Sequence, residues 1–429
     1  MTQKTLIIIV IATVVVIGGV FLFTLVTETT PEPTPEPTPE PVTKPEAEAI
    51  EGVTTANNQF ALDFYTKVKD EEANKEENIF FSPYSLSIAL AMTYEGAKGK
   101  TAEEMEDVFY FPKDNNFRRK AFLSLHSWLT REDTEHELNI ANALWAQKDF
   151  TFLQEYFDII TTYYQGLIEN LDFTGDPEGS RITINQWVEE QTKEKIKDLI
   201  PSGVINDLTR LILTNAIYFK GEWVQEFNQE DTKEENFYVT SEETVKVDMM
   251  RRLDEEAEFP YYETEDLQIL EMPYSGEETS MLVLLPKEDN LEEVEKQLTR
   301  ENLVIWQENL KKQRVKVYFP KFKLETKYFL KPTLSQMGMP TAFTEAADFS
   351  GMTGKRDLMI AEVIHQAFVE VDEKGTEATA ATAVVMELTA MPAEPVIPVF
   401  RADRPFIFLI QEKETGSILF MGRVVNPAL

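Results

Sequence analysis

Cysteine is absent from the 429 residues, and histidine occurs only three times. Without a thiol there is no disulfide, no thiol nucleophile, no thiolate-bound metal and no lipid attached through an N-terminal cysteine. An exported form must hold together by packing alone. His126, His136 and His365 fall in no H-E-x-x-H pattern, and no G-x-S-x-G is present. A zinc site and a hydrolytic triad both lack a starting point, so no metal, cofactor or catalytic residue is expected. Positive charge is scarce too: 41 Lys and Arg against 75 Asp and Glu give a formal net charge of -34. A surface this acidic repels phosphate backbones, which argues against a nucleic-acid partner. Two local basic clusters, Arg118-Arg119-Lys120 and Lys311-Lys312-Gln313-Arg314, read as solvated faces. GAKGKT at 96–101 invites comparison with a phosphate-binding loop, but the glycine required five residues before Gly99 is Tyr94.

What is present divides the chain unevenly. Residues 6–26 are uncharged and apolar, long enough to cross a bilayer as a helix. A cleaved signal has a shorter apolar region of about 7–15 residues and small residues after it, so an uncleaved signal anchor is favoured over a cleaved one. Lys4 precedes this stretch and acids follow, which leaves 1–5 in the cytoplasm and the bulk outside it. The expected location is extracytoplasmic, on the cell surface if the anchor is kept and secreted if it is cut. Residues 27–52 contain PEPTPEPTPEP and cannot form a core; they read as an extended spacer rising about 3.1 Å per residue. The remaining 53–429 is globular, with 28 Phe in the whole chain to build a core. Its length alone would suggest two domains.

Within that part, apolar spacing predicts helices over 57–68, 85–95 and 181–200, the last closed by Pro201. Buried strands are expected at 211–219 and 358–371, further strands at 280–285 and 314–319, and a C-terminal hairpin from 404–411 and 417–425. Strands mixed with helices, without repeats, indicate an α+β architecture. The unusual stretch is 376–385, almost nothing but Ala, Thr and Val. If it entered a sheet, Thr376, Ala378, Ala380 and Thr382 would share one face, small and uncharged, and Glu377, Thr379, Ala381 and Ala383 the other, which is expected to meet solvent. Gly375 offers a pivot just before it.

Five segments carry a family resemblance. VEVDEKGTEATAATA at 369–383 resembles the hinge of a serpin's reactive-centre loop. NIFFSPYSLSIALAMTYEGAKGKT at 78–101, LTNAIYFKGEW at 213–223, FPKFKLE at 319–325 and RPFIFLIQEKETGSILFMGRVVNP at 404–427 are similar to serpin segments in serpin order. The resemblance implies one large domain with three β-sheets, eight to nine helices and an exposed reactive-centre loop. It also implies an inhibitor rather than an enzyme: a serine protease, or a cysteine protease by cross-inhibition, cleaves the loop, the hinge inserts into the central sheet, and the acylated protease is trapped. By that resemblance the hinge is Glu373, Lys374, Gly375, Thr376, Glu377, Ala378, Thr379, Ala380 and Ala381. The reactive bond is Thr389-Ala390, or Leu388-Thr389 if the register slips by one. Ser82, Ser85, Asn215 and His365 map to a cluster that controls sheet opening, and Trp223, Lys321 and Glu373 to one at the hinge entry, with a Lys321–Glu373 ion pair. No Lys or Arg lies between Gly375 and Phe400, so the target is expected to be chymotrypsin-, elastase- or subtilisin-like. A monomer is expected, with a non-inhibitory binding or scaffold protein on the same fold as the alternative.

Overall fold

A strand made of Leu, Ile, Ala and Phe with few polar interruptions must be covered on both faces, and Leu211–Glu222 is buried at ten of its twelve positions. It lies in the middle of the molecule. The structure is a computed structural model that describes residues 47–131, 134–376 and 397–429, all within one unit spanning Val42–Leu429. The apolar segment 6–26, most of the spacer, the reactive bond and the hinge beyond Thr376 lie outside the described residues. Among the described residues no helix is long and apolar enough to cross a membrane.

The strands of the central sheet are numbered along the chain: β1 His136–Gln147, β2 Leu167–Leu171, β3 Leu211–Glu222, β4 Phe322–Phe329, β5 Glu362–Val371 and β6 Gly375–Thr376. Their spatial order is β4, β5, β6, β3, β1, β2. Below the two-residue β6, β5 and β3 pair directly and in parallel, from Glu362 opposite Ile212 to Phe368 opposite Tyr218. A seven-stranded sheet contains Ile79–Phe81 and the C-terminal hairpin Phe406–Glu412 and Ile418–Val424; a four-stranded sheet contains Val399–Arg401 at its edge. With ten α-helices among the described residues, two of them of six residues or fewer, the α+β serpin architecture with three sheets stands.

Two layers cover the central sheet. Behind it runs the helix Pro83–Gly96, buried on nearly every side, as a helix threaded through a core must be. In front lies Pro177–Gln191 and the connector after it, whose Ile184, Val188, Ile196, Leu199 and Ile200 pack on Ala216, Tyr218, Ile364 and Phe368. The side of the sheet on which Glu377, Thr379, Ala381 and Ala383 are expected to meet solvent is therefore covered at β3 and β5.

Several boundaries differ from the sequence reading, each for a local reason. The first helix is Ala47–Lys69, starting inside the region read as spacer, because Ile50 and Val53 continue the buried stripe of Phe60, Phe64 and Val68. The helix expected to run to residue 200 ends at Gln191: the Thr192 hydroxyl bonds back to the Val188 carbonyl, and Lys193 and Glu194 turn left-handed at φ 50° and 61°. The apolar residues beyond it belong to the connector, where Asn185 holds both the amide and the carbonyl of Ile200. The strand expected at 314–319 divides at Val315 between two sheets, Lys311–Arg314 and Lys316–Pro320. Strand β5 starts at Glu362, because the Ile360 amide is taken by the Ala342 carbonyl.

Candidate functional site

The site is the seam between β3 and β5, and it has an entrance at one end and a polar lock partway along. At the entrance the chain reverses after Val371. The Asp372 carboxylate accepts from the Lys374 amide at 2.9 Å and the Gly375 amide at 3.2 Å, forming a side-chain-closed turn. This returns Thr376 between Val371 of β5 and Gly221 of β3, antiparallel to both. A Cβ on Gly375 would sit 2.0 Å from the Gly221 carbonyl oxygen. Glycine is therefore required by close approach to β3; the pivot expected from flexibility alone is a tightly packed point. Thr376 is buried, and its hydroxyl lies 2.8 Å from the Tyr274 hydroxyl.

The three residues assigned to the hinge entry meet around this turn. The Trp223 amide donates to the Lys374 carbonyl at 2.6 Å and its indole to the Asp372 carbonyl at 3.1 Å, while its ring stacks on Tyr274 at 4.5 Å. Glu373 is buried, and its carboxylate accepts from Lys321 at 2.9 Å and from the Thr232 hydroxyl at 2.8 Å. Burial pushes that carboxyl upward, but the hydrogen bonds from Lys321 and Thr232 outweigh it and hold the group below the usual glutamate range. Lys374 is also buried, and its ammonium finds no hydrogen-bond partner among the described residues. Asp372, Thr232 and Tyr274 were not singled out in the sequence; the turn-forming Asp directly before E-K-G was the only local signal.

The lock stands behind the sheet. Asn142 of β1, Asn215 of β3 and His365 of β5 are directly opposite one another in register. The Ser82 amide donates to His365 Nε2 at 3.1 Å, which leaves the ring proton on Nδ1 for the Asn215 carbonyl oxygen. The Asn215 amide nitrogen reaches Ser85 Oγ and the Asn142 side-chain oxygen. Ser82 caps the helix behind, accepting from the Ser85 amide, and donates to the Leu419 carbonyl at 2.6 Å. All four residues assigned to sheet opening are thus joined. Asn142 completes the set, its only sequence signal being a polar side chain inside an apolar strand. Burial pushes His365 down to about 3, so it is neutral at physiological pH.

One basic cluster does not behave as read. Arg118 is buried, paired with the buried Glu95 at 2.7 Å, and Arg119 reaches the other oxygen of that carboxylate. These guanidiniums are committed internally because Glu95, at the end of the buried helix, needs cations. The second cluster keeps its expected character: Lys311–Arg314 is an edge strand with Lys311, Lys312 and Gln313 exposed, a charged edge that discourages pairing with another chain.

Comparison with known proteins agrees with this geometry. The sequence model of the family described as Serpin (serine protease inhibitor) matches residues 55–427. The chain belongs to the serpin family. Among relatives of this serpin, an uncharacterized serpin-like protein of Thermococcus kodakarensis is 44% identical over 376 residues, 87% of this chain and 86% of that protein. Leukocyte elastase inhibitor A of Mus musculus is 40% identical over 388 residues, 88% of this chain and 100% of the mouse protein. The crystal structure of uncleaved ovalbumin has a TM-score of 0.79 at 32% identity, covering 88% of this chain and 100% of ovalbumin.

Proposed function

We propose that this serpin inhibits a serine protease as a suicide substrate: the protease cuts the loop at Thr389-Ala390 or Leu388-Thr389, and the freed hinge enters the β3–β5 seam carrying the acylated enzyme. The supporting observation is the pairing of Thr376 with both Val371 and Gly221. Two parallel strands joined edge to edge can admit an antiparallel strand between them only by moving apart one strand spacing, about 4.8 Å, and Thr376 already occupies the first position. Extending that register puts Ala378 between Val369 and Phe219, Ala380 between Ala367 and Ile217, and Thr382 between His365 and Asn215. All six neighbours are buried, so a side chain larger than Ala or Thr meets packed atoms and a charge meets no partner. Thr382 brings a hydroxyl to the place where His365 and Asn215 bond each other in the closed sheet, so the polar lock can exchange partners rather than lose them. Thr379 and Ala381 on the opposite face meet the layer under 177–200, which accounts for small residues on that side too.

The loop's lack of Lys and Arg favours a chymotrypsin-, elastase- or subtilisin-like target, and the name of the mouse relative points the same way. We place the encounter outside the cytoplasm, with 6–26 as a membrane anchor. Incubation with one such protease is expected to give a complex that survives denaturation in SDS, with mass spectrometry locating the cut. Ala380→Arg is expected to convert inhibitor into substrate. Cleavage without any such complex, and without a rise in the melting temperature of the nicked protein, would reject inhibition and leave a binding protein on the same fold.

A further inference from the structure

His136 opens strand β1 where three parts of the fold meet. In register it lies opposite Gly221 of β3, the residue that presses on Gly375 and pairs with Thr376. Its ring stands 5.9 Å from the Phe219 ring, and Phe219 packs in turn on Tyr274 at 5.0 Å. Its Nε2 lies 3.3 Å from the carbonyl of Leu129, the last residue of the helix Asn115–Leu129. A carbonyl can only accept, so Nε2 carries the ring hydrogen and Nδ1 of the neutral ring is an acceptor. That Nδ1 is buried and has no hydrogen-bond partner among the described residues.

The turn 274–279 carries a second acceptor in the same condition. It lies alongside the start of β1, since a Cβ on Gly276 would sit 3.6 Å from Glu135 Cβ. Glu278 in this turn pairs with Arg131 through Oε1, while its Oε2 is buried and likewise without a partner among the described residues. Among those residues Glu278 and Arg131 are the charged groups that act on the His136 ring. Two buried acceptors thus lack a donor, which is costly away from water. The same turn is fastened to the hinge entry. The Ser275 amide donates to the Glu222 carbonyl at 2.7 Å, and Tyr274 stacks on Trp223 and meets the Thr376 hydroxyl.

We propose that His136 is a proton-operated tie: acid places a hydrogen on Nδ1, which donates to Glu278 Oε2 and holds the turn 274–279, and the seat of Thr376 with it, against β1. Reciprocity fixes the sign. Burial has the largest influence and keeps the ring below the usual histidine range; the Leu129 carbonyl and Glu278 raise it again, and Arg131 lowers it. A carboxylate that favours the proton is itself held by the proton, so protonation stabilises the closed turn over one swung away while the ring stays buried. The tie acts on the uncut protein and stands apart from whether the loop traps a protease.

The test has two readouts on the intact protein. With three histidines in the chain, each ring can be followed by NMR as the pH is lowered. Glu278→Gln is expected to move the His136 midpoint to lower pH and to leave those of His126 and His365 in place; an unmoved His136 midpoint overturns the tie. The second readout separates a bond from mere proximity. Hydrogen–deuterium exchange, corrected for the intrinsic effect of pH, is read on peptides from 272–279 and 370–376, with 406–424 as the reference. Between about pH 7.5 and about pH 5, protection of the first two is expected to rise about two- to fivefold, what one charge-assisted hydrogen bond permits once its desolvation is subtracted, and that of the reference to stay level. Glu278→Gln and His136→Gln, whose amide keeps a donor for Leu129, are each expected to abolish the rise, and His126→Gln to retain it. Protection that is flat or falls in the parent overturns the tie, as does a rise that persists in Glu278→Gln or His136→Gln or that is lost in His126→Gln.

Discussion

A single absent Cβ governs the hinge. Because the Gly221 carbonyl lies 2.0 Å from where that atom would be, Gly375→Ala is expected to push the turn away from β3 and unpair Thr376, costing about 1–3 kcal/mol as an overpacking change does. Denaturant unfolding checks the cost, and faster exchange of the Thr376 amide checks the cause. His365 makes a different prediction. Its native pKa of about 3 lies below the value of about 6.5 expected in the unfolded chain. The unfolded state therefore binds the proton first, so this stabilisation is complete above about pH 6.5 and drains away as the pH falls toward 3. At pH 4 the loss from this residue is on the order of 3 kcal/mol. Thermal midpoints from pH 7 to pH 4 should fall less steeply in His365→Gln than in the parent; equal slopes would remove His365 from the explanation.

At the scale of elements, the buried helix Pro83–Gly96 carries polar groups at both ends. Ser82 at its start belongs to the lock behind the seam, and Glu95 near its end collects Arg118, Arg119 and the Tyr164 hydroxyl. Removing a partner from a buried ion pair leaves an uncompensated charge. Glu95→Gln is expected to destabilise by about 3 kcal/mol in denaturant unfolding because it strands the buried Arg118 guanidinium, and Glu95→Gln with Arg118→Met by less than Glu95→Gln alone, since the second change removes the stranded charge. The same arrangement predicts that sulfated polyanions leave the melting temperature unchanged, since two of the three cations in that cluster are already engaged by Glu95. A polyanion-dependent shift abolished by Lys120→Ala would show that the remaining cation suffices.

For the whole molecule, charge and packing pull in opposite directions. A formal net charge of -34 repels itself, and without disulfides only noncovalent contacts oppose that repulsion. Raising ionic strength from about 0.02 to 0.5 M, where the screening length falls well below the size of the molecule, is expected to raise the melting temperature of the intact protein. A fall would mean that surface ion pairs outweigh the repulsion.

Much of the seam could be read from residues in order. Alternation placed Thr376 on a buried face, the apolar runs marked β3 and β5, and family resemblance selected Ser82, Ser85, Asn215, His365, Trp223, Lys321 and Glu373, all of which the fold brings to two clusters. Asn142, Tyr274 and Thr232 escaped notice because each is an ordinary residue in its own segment and gains its role only from a partner between 73 and 141 positions away.

The sequence by itself determined the absence of thiol chemistry and of thiolate-bound metal, the acidic surface, the alternation of small residues from Thr376 onward and the order of the apolar segments, because these depend on composition and on periods of two to four residues. Tertiary structure alone decided that Arg118 is buried, that Gly375 is pressed against Gly221 and that the face of 216–218 and 366–368 is covered. Those facts depend on which distant backbones approach within a few ångströms, and neither local pattern nor composition carries that distance.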